Sequence, residues 1–333
     1  MELEIETTGI CNAQCPFCSR YTYNGNTLEI YNKDKILANG KLDVNAFEKN
    51  LCNLLNEKNI LFDFQGSYSD PMTHPNILEL VKIACSVEDA RVEVKTNGSL
   101  KYETVYKELA KYLNTKKRKL YFSVDAYGNR NSIYRRGTDW EKIVENMKAF
   151  SEGGGKGAIK AVFFEQNMDD YRKLEKLARR LGFMSFYVQP NRRESREERA
   201  SIFNIPKNYK PKEHIDYPTD FAQNFNHYKT VECKHIDEEY YFIGCDSKVY
   251  PCCDLWGDMV EEDPRVRRLA RLVTSNRSEE ISLKKHKFYD IIKGDQFKKL
   301  DNTIKNKPNL LCKKNCGFGM QHPNKAQKLV DKS

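Results

Sequence analysis

The sequence lacks the features that define several other classes of protein. It has no apolar run near the roughly 20 residues that a helix needs to cross a bilayer. Its N-terminus, MELEIETT, is acidic and alternating, unlike a secretory signal peptide. With 17 Gly and 11 Pro among 333 residues, and neither internal repeats nor low-complexity segments, it is not collagen-like or disordered. We therefore expect a folded cytoplasmic protein with no membrane segment.

The sequence also lacks a recognisable nucleic-acid-binding motif, although its formal net charge is +9. Residues 283–333 contain 13 Lys and 4 Asp, an excess that equals the whole net charge. Such a basic tail either attracts an acidic partner or is a solvated lysine-rich surface. Because no Arg-rich or aromatic-interleaved stretch accompanies it, nucleic acid is not the expected partner.

Cysteine, in contrast, is abundant. The chain has 11 cysteines, and most of them lie near the two ends of the sequence. An odd number of cysteines in a chain without an export signal argues against a framework of disulfides. Metal binding or redox chemistry is the better interpretation.

The first 190 residues alternate between strand-like and helix-like segments. Strands are predicted at 3–7, 60–65, 91–96, 120–125, 159–165 and 185–189, and helices at 44–56, 77–86, 102–113, 140–151 and 169–181. Six βα units with continuous apolar strands predict a parallel sheet covered by helices. Periodicity does not decide between a closed barrel and an open sheet.

The alternation of strand-like and helix-like segments ends after residue 190. A dense charge run, RRESREER, occupies residues 192–199, and residues 205–220 are rich in Pro, Lys and Tyr. We therefore predict a core domain over residues 1–200, a bridging region over 201–232 and a second domain over 233–333. In the second domain a hairpin is predicted over 240–250, with helices over 281–292 and 296–302.

The first cysteine group is a C-x3-C-x2-C triplet directly after the first predicted strand, formed by Cys11, Cys15 and Cys18. Three thiolates can hold three irons of a cubane cluster and leave the fourth iron open to a ligand. Structural zinc prefers four protein ligands, so zinc would have to recruit a distant residue such as His74 or His235. Zinc binding and chance clustering are the alternatives.

The triplet has the form C-x3-C-x-aromatic-C and precedes six βα units, which resembles the radical S-adenosylmethionine (SAM) superfamily. The resemblance covers residues 1 to about 190 and implies an α/β fold, a partial (β/α)6 TIM-like barrel. It implies that Cys11, Cys15 and Cys18 bind a [4Fe-4S] cluster and that Phe17 lies beside the adenine of SAM. The methionine moiety of SAM would then bind the fourth iron.

Turns after later strands also resemble SAM-binding turns of the family. The turn after the second strand keeps a Gly and an Asp-Pro pair but lacks the usual Gly-Glu. The resemblance assigns the amino group of SAM to Gly66 and Ser67, the ribose to Ser123 and Asp125, and the carboxylate to Arg135, whose guanidinium fork suits a carboxylate. Arg136 is the alternative contact for the carboxylate of SAM. The non-functional alternative is that the two arginines are an ordinary surface pair.

The C-terminal cysteines resemble the auxiliary-cluster domains called SPASM and twitch, with Ser247 where the family signature has a Gly. Six cysteines fit one auxiliary [4Fe-4S] cluster, for which the resemblance suggests Cys233, Cys252, Cys312 and Cys316. Four cysteines also suit structural zinc. The remaining Cys245 and Cys253 either replace one of these ligands, donate a hydrogen atom to a substrate radical, or pack as small buried side chains.

The resemblance implies an enzyme that reductively cleaves SAM to a 5′-deoxyadenosyl radical and abstracts a hydrogen from its substrate. The expected substrate is a peptide, a protein side chain or a small molecule. The expected electron donor is a flavodoxin or a ferredoxin, and we expect a monomer. Two alternatives stay open: a radical SAM enzyme that acts on RNA through the basic tail, and a non-catalytic zinc- or iron-binding protein.

Overall fold

The computed structural model describes residues 1–16, 18, 20–24, 27–30, 40–51, 54, 58–163, 167–190, 233–260, 278–308, 312, 316 and 327–328. The expected adenine contact Phe17 and the whole predicted bridging region 201–232 lie outside the described residues.

Most of the described strands belong to one sheet. The strands are β1 (Glu2–Ile5), β2 (Tyr21–Asn24), β3 (Thr27–Ile30), β4 (Leu61–Phe64), β5 (Arg91–Thr96), β6 (Arg118–Ser123), β7 (Gly157–Phe163), β8 (Ser185–Pro190), β9 (Tyr240–Ile243), β10 (Val249–Tyr250) and β11 (Gln327–Lys328). The order in the large sheet is β10-β9-β1-β4-β5-β6-β7-β8-β11, while β2 and β3 pair as a separate hairpin. Neighbours from β9 to β8 run parallel, so the predicted mostly parallel sheet is confirmed. Within the described residues the sheet is open, as in a partial barrel.

Helices follow the strands as the sequence predicts. They are α1 (Val44–Leu51), α2 (Ile77–Cys85), α3 (Glu103–Ala110), α4 (Asn131–Tyr134), α5 (Trp140–Glu152), α6 (Met168–Arg180), α7 (Lys234–Glu238), α8 (Cys253–Val260), α9 (Phe288–Ile292) and α10 (Asp295–Asn306). The Asp139 side chain caps α5 by accepting from the backbone N–H groups of Glu141 and Lys142 at 2.9 and 3.2 Å. In α6, acidic residues occupy the first turn and arginines the last, which complements the helix dipole.

The two faces of the sheet differ sharply in character. Side chains on the helix-covered face are apolar and buried, as with Phe62 and Phe64 on β4 and Val92 and Val94 on β5. The alternate residues of the same strands point to the opposite face, and they include charged side chains such as Asp63 on β4. The prediction of continuously apolar strands is therefore wrong, because the strands alternate between two faces and the helices in the described part of the chain cover one of them.

The C-terminal segment extends this sheet. Strand β9 pairs in parallel with β1, with Glu2 opposite Tyr240, and β10 returns antiparallel to β9. The predicted hairpin at 240–250 is confirmed. Its turn holds Ser247 at a φ of 62°, in the left-handed region that favours glycine.

The predicted helix over residues 281–292 is wrong in its first half. A 3-10 turn (Ser278–Ile281) is followed by an isolated bridge between Ser282 and Lys248, and the α-helical part begins at Phe288. The backbone N–H of Leu283 donates to the carbonyl of Ser247 at 2.9 Å. These contacts with the hairpin turn hold the segment out of helical geometry.

No helix among the described residues combines the length and apolar composition needed to cross a membrane.

Candidate functional site

The cysteine triplet lies on the loop that leaves the carboxyl end of β1. Cys11, Cys15 and Cys18 are half-buried, and a tight turn joins the last two through a bond from the Cys18 N–H to the Cys15 carbonyl at 3.0 Å. Backbone N–H groups point at the sulfurs: Ala13 donates to Sγ of Cys11 at 3.4 Å, and Arg20 donates to Sγ of Cys18 at 3.5 Å. Such donors stabilise thiolates.

A buried carboxyl group, Asp70, fastens this loop to the neighbouring strands. Its backbone N–H donates to the Ile10 carbonyl at 3.0 Å. Its side chain accepts from the N–H of Met72 at 3.0 Å, the hydroxyl of Thr96 at 2.8 Å and the N–H of Asn97 at 2.7 Å. The capping role of Asp70 at the turn Pro71–Thr73 follows from its sequence context, but its bonds to the end of β5 do not.

The loop is also tied to the turn that follows α4. The Asn12 side chain accepts from the Asn97 amide at 2.8 Å and donates to the Gly137 carbonyl at 3.3 Å. Gln14 N–H donates to the Arg136 carbonyl at 2.8 Å. Gly137 has a φ of 79°, and a Cβ there would lie 2.6 Å from the Asn12 carbonyl oxygen, so the close approach requires glycine.

The surroundings of the cysteine triplet disfavour the thiolate form of Cys11 unless a positively charged group lies beside it. Burial first, then the Asp70 carboxyl and the thiols of Cys15 and Cys18, raise the pKa of the Cys11 thiol. A bound metal centre reverses such a shift, because thiolates are its ligands. Within the described residues no three His, Cys, Asp or Glu side chains surround a single metal ion. A [4Fe-4S] cluster takes one thiolate per iron, so its ligands do not converge on one point and the donor set fits it.

The turn after β4 contains Gly66 and Ser67, the expected contacts of the SAM amino group. A Cβ on Gly66 would lie 1.6 Å from the Ser69 carbonyl oxygen, so this tight turn requires glycine. The Ser67 N–H donates to the Glu6 carboxyl at 2.7 Å, and its hydroxyl donates to Glu4 at 3.0 Å. Two buried glutamates of the first strand segment thus hold the turn.

The side-chain carboxyl of Glu6 has an unusually high pKa. Burial raises its pKa to about 8, although hydrogen bonds from Ser69, Ser67 and Tyr68 act in the opposite direction. The acidic alternation of this segment is visible in the sequence but did not predict a role for Glu6. The available signal was the acidic residue at every second position of this segment, at Glu2, Glu4 and Glu6.

Asp125, an expected contact of the SAM ribose, forms an ion pair with Arg135, the expected contact of the SAM carboxylate. Arg135 Nε lies 2.7 Å from Oδ2 of Asp125, and Asp125 Oδ1 also accepts from the Val162 N–H at 2.7 Å. Burial lowers the pKa of Arg135, but the Asp125 carboxylate together with Cys15 and Tyr134 outweighs this effect, so the pKa is raised. Ser123 lies half-buried at the end of β6, two residues before Asp125.

The C-terminal cysteines line one cavity of about 180 Å³. All four expected ligands border it, together with one of the two remaining cysteines: Cys233, Cys252, Cys253, Cys312 and Cys316. The cavity wall also includes Glu4 and Tyr240, whose hydroxyl donates to Glu4. Sequence reasoning missed both of these residues.

The two leftover cysteines occupy different environments. The thiol of Cys253 is within hydrogen-bonding reach of Tyr240 and Ser67, so it lies between the cavity and the turn after β4. Cys245 is fully buried and does not border the cavity. Burial first, then the carboxyl of Glu6, raise the pKa of the Cys245 thiol.

Comparisons with known proteins identify this arrangement. The family model described as the Radical SAM superfamily matches residues 5–178. The solved structure of SuiB from Streptococcus suis has 16% identity and a TM-score of 0.51, over 79% of this chain and 66% of SuiB, so the chain spans just under two thirds of that relative.

SuiB bound to S-adenosylmethionine has 17% identity and a TM-score of 0.51, over 85% of this chain and 71% of that one. Native anSMEcpe with bound AdoMet has 15% identity and a TM-score of 0.52, over 94% of this chain and 88% of that one. At these identities the similarity shows the fold. No curated protein sequence matches the chain.

Proposed function

The chain belongs to the radical SAM superfamily, and from this premise we propose that Cys11, Cys15 and Cys18 hold the [4Fe-4S] cluster at which SAM is reductively cleaved. Family membership indicates an enzyme that uses such a cluster and SAM. When bound, the cluster supplies an electron to SAM, and the resulting 5′-deoxyadenosyl radical abstracts a substrate hydrogen.

The observation that carries the proposal is the position and bracing of the cysteine loop. It lies at the carboxyl edge of a parallel sheet, where α/β proteins bind their ligands. Asp70 and Asn97 fix it to the ends of two neighbouring strand segments. A loop held in this way can keep three thiolates in place with one iron left open for SAM.

The other site residues keep the roles that the resemblance suggests. We propose that the Gly66–Ser67 turn meets the amino group of SAM and that Ser123 and Asp125 meet its ribose. Arg135 would bind the carboxylate with those donors that its pair with Asp125 leaves available. That pair would couple the ribose and carboxylate ends of the site. Phe17 remains the proposed adenine contact.

For the C-terminal cysteines we propose one auxiliary [4Fe-4S] cluster held by Cys233, Cys252, Cys312 and Cys316, in a domain spanning residues 233–333. The support is that all four border one cavity. Cys253 is the better candidate for a hydrogen-atom donor, because it lies within reach of Ser67 in the proposed SAM-binding turn, whereas Cys245 is fully buried.

The substrate class rests on analogy. SuiB has been solved with its precursor peptide SuiA, and anSMEcpe with the Cp18Cys peptide. We propose that this enzyme oxidises or otherwise modifies a peptide, a protein side chain or a small molecule, with a flavodoxin or ferredoxin as electron donor.

The test is anaerobic reconstitution, followed by iron and sulfide analysis and a 5′-deoxyadenosine assay with dithionite and SAM. Wild type should bind about eight irons, and the triple Cys11/Cys15/Cys18→Ala variant about four, with no SAM cleavage. The matched control is Cys85→Ala on α2, which should keep the iron content and the SAM cleavage of wild type. Bound zinc without SAM cleavage would refute the proposal and favour a non-catalytic metal protein.

A further inference from the structure

The sheet face that none of the described helices covers is unusually polar for the inside of a barrel. In barrels of parallel strands this face is ordinarily filled by layers of branched apolar side chains. Here the strand register places Lys95 beside Tyr121, and Ser123 beside Lys160, which in turn lies beside Tyr187. A face lined in this way favours a hydrophilic ligand.

The two lysines of this face differ in their partners. Lys95 pairs with Asp63 and Glu93 and donates to Gln65 at 3.1 Å. Lys160, although half-buried, makes no ion pair or side-chain hydrogen bond with any other described residue.

The surroundings of Lys160 disfavour an isolated charge. Burial first, and then the ammonium of Lys95, lower its pKa to about 8, with Arg135 acting in the same direction and Asp63 and Glu93 opposing. A half-buried ammonium without a partner is costly, and an anion beside it removes that cost.

The nearby carboxylates do not supply that anion. Asp63 and Glu93 are engaged by Lys95. Glu6, on the same face, has a pKa raised to about 8 by burial and is largely uncharged at neutral pH. Among the residues that the structure describes, no carboxylate is therefore left to pair with Lys160, and this position suits an anionic group of a bound molecule.

We propose that Lys160 binds a carboxylate or phosphate group of the substrate, so that the enzyme acts on an anionic molecule or side chain. The inference rests on the proposed function, since Ser123, beside Lys160 in the register, is the proposed ribose contact of SAM. An anion held at Lys160 would place the substrate next to the site where the radical forms.

The test measures how fast Lys160 is acetylated by the neutral reagent N-acetoxysuccinimide in the reconstituted enzyme, first without SAM and then at saturating SAM. Peptide mapping by mass spectrometry reports Lys160 and, as internal control, the exposed Lys156 in the same digest. Succinate and inorganic phosphate are the probes, each compared with sodium chloride at equal ionic strength. The two probes distinguish a carboxylate from a phosphate.

We expect one probe to slow acetylation of Lys160 about tenfold at about ten times its dissociation constant, with Lys156 unaffected. Calorimetry should detect binding of that probe by Lys156→Gln and lose it in Lys160→Gln. The proposal is overturned if Lys160 does not react, if neither probe protects it better than chloride, or if SAM alone protects it. In the last case the anion at Lys160 is the carboxylate of SAM.

The 5′-deoxyadenosine assay on the same preparation reports the proposed function separately. Protection of Lys160 in a protein that does not cleave SAM would reject the enzyme proposal and leave an anion site. SAM cleavage without protection would reject only the anion site.

Discussion

At the scale of single residues, buried carboxyl groups hold the site together: Asp70 joins its own turn to the end of β5, and Glu6 holds the turn after β4. The cysteine triplet could be predicted because its spacing is local. The bonds that Asp70 makes to Ile10, Thr96 and Asn97 could not, because the fold brings these residues together from separate parts of the chain.

Replacing Asp70 by Ala should lower the free energy of unfolding by about 3 kcal/mol or more, because several buried donors lose their acceptor. Urea denaturation measures the change. The control is Asp89→Ala, whose side chain is exposed and pairs with Lys117, and which should change stability by less than about 0.5 kcal/mol. Equal losses in the two variants would contradict the bracing role.

Glu6 should make stability depend on pH in the direction opposite to a salt-bridged acid. Its pKa is raised from 4.5 to about 8, so the folded state binds more protons than the unfolded state between these values. This contribution to stability is therefore present below about pH 4.5 and is lost as pH rises toward 8.

Glu6→Gln should remove this contribution, so its stability relative to wild type should increase between pH 5.5 and 7.5. The slope of the difference is at most about 1.4 kcal/mol per pH unit. Urea denaturation at several pH values tests this, and parallel profiles for the two proteins would refute it.

At the scale of elements, two turns show how backbone geometry supports the site. The strands and most helices could be predicted because hydrophobic periodicity is a local signal. The segment 282–287 could not, because its bridge to the distant Lys248 overrides its helical pattern.

Gly137→Ala should displace the cysteine loop, since the added Cβ would meet the Asn12 carbonyl oxygen at 2.6 Å. We expect about 1–3 kcal/mol less stability than in the matched variant Gly128→Ala, together with a lower iron content. Gly128 has a φ of 70° but open space around its Cβ position, so it isolates the backbone cost. The same iron content in both variants would contradict the account.

Ser247 lies at a φ of 62°, and its hydroxyl accepts from the Asp43 N–H at 3.0 Å. Ser247→Ala and Ser247→Gly both lose this bond, but only glycine relieves the backbone strain. The glycine variant should therefore be about 1 kcal/mol more stable than the alanine variant in thermal or urea unfolding. An alanine variant at least as stable would show that the turn is not strained.

At the scale of the whole molecule, the pairing of β9 with β1 brings the two cysteine groups to one sheet. Glu4 borders the cysteine cavity and also accepts a hydrogen bond from the hydroxyl of Ser67, in the turn after β4. Sequence patterns predicted each cysteine group alone. They did not predict this connection, because it depends on strand pairing between residues more than 200 positions apart.

The central claim, that the triplet holds a cluster with an iron open to SAM, is tested most directly by electron paramagnetic resonance of the reduced protein. Adding SAM should change the spectrum of wild type and of the quadruple Cys233/Cys252/Cys312/Cys316→Ala variant, and leave that of the triple Cys11/Cys15/Cys18→Ala variant unchanged. A wild-type spectrum that does not respond to SAM, or a response that persists in the triple variant, would contradict the account.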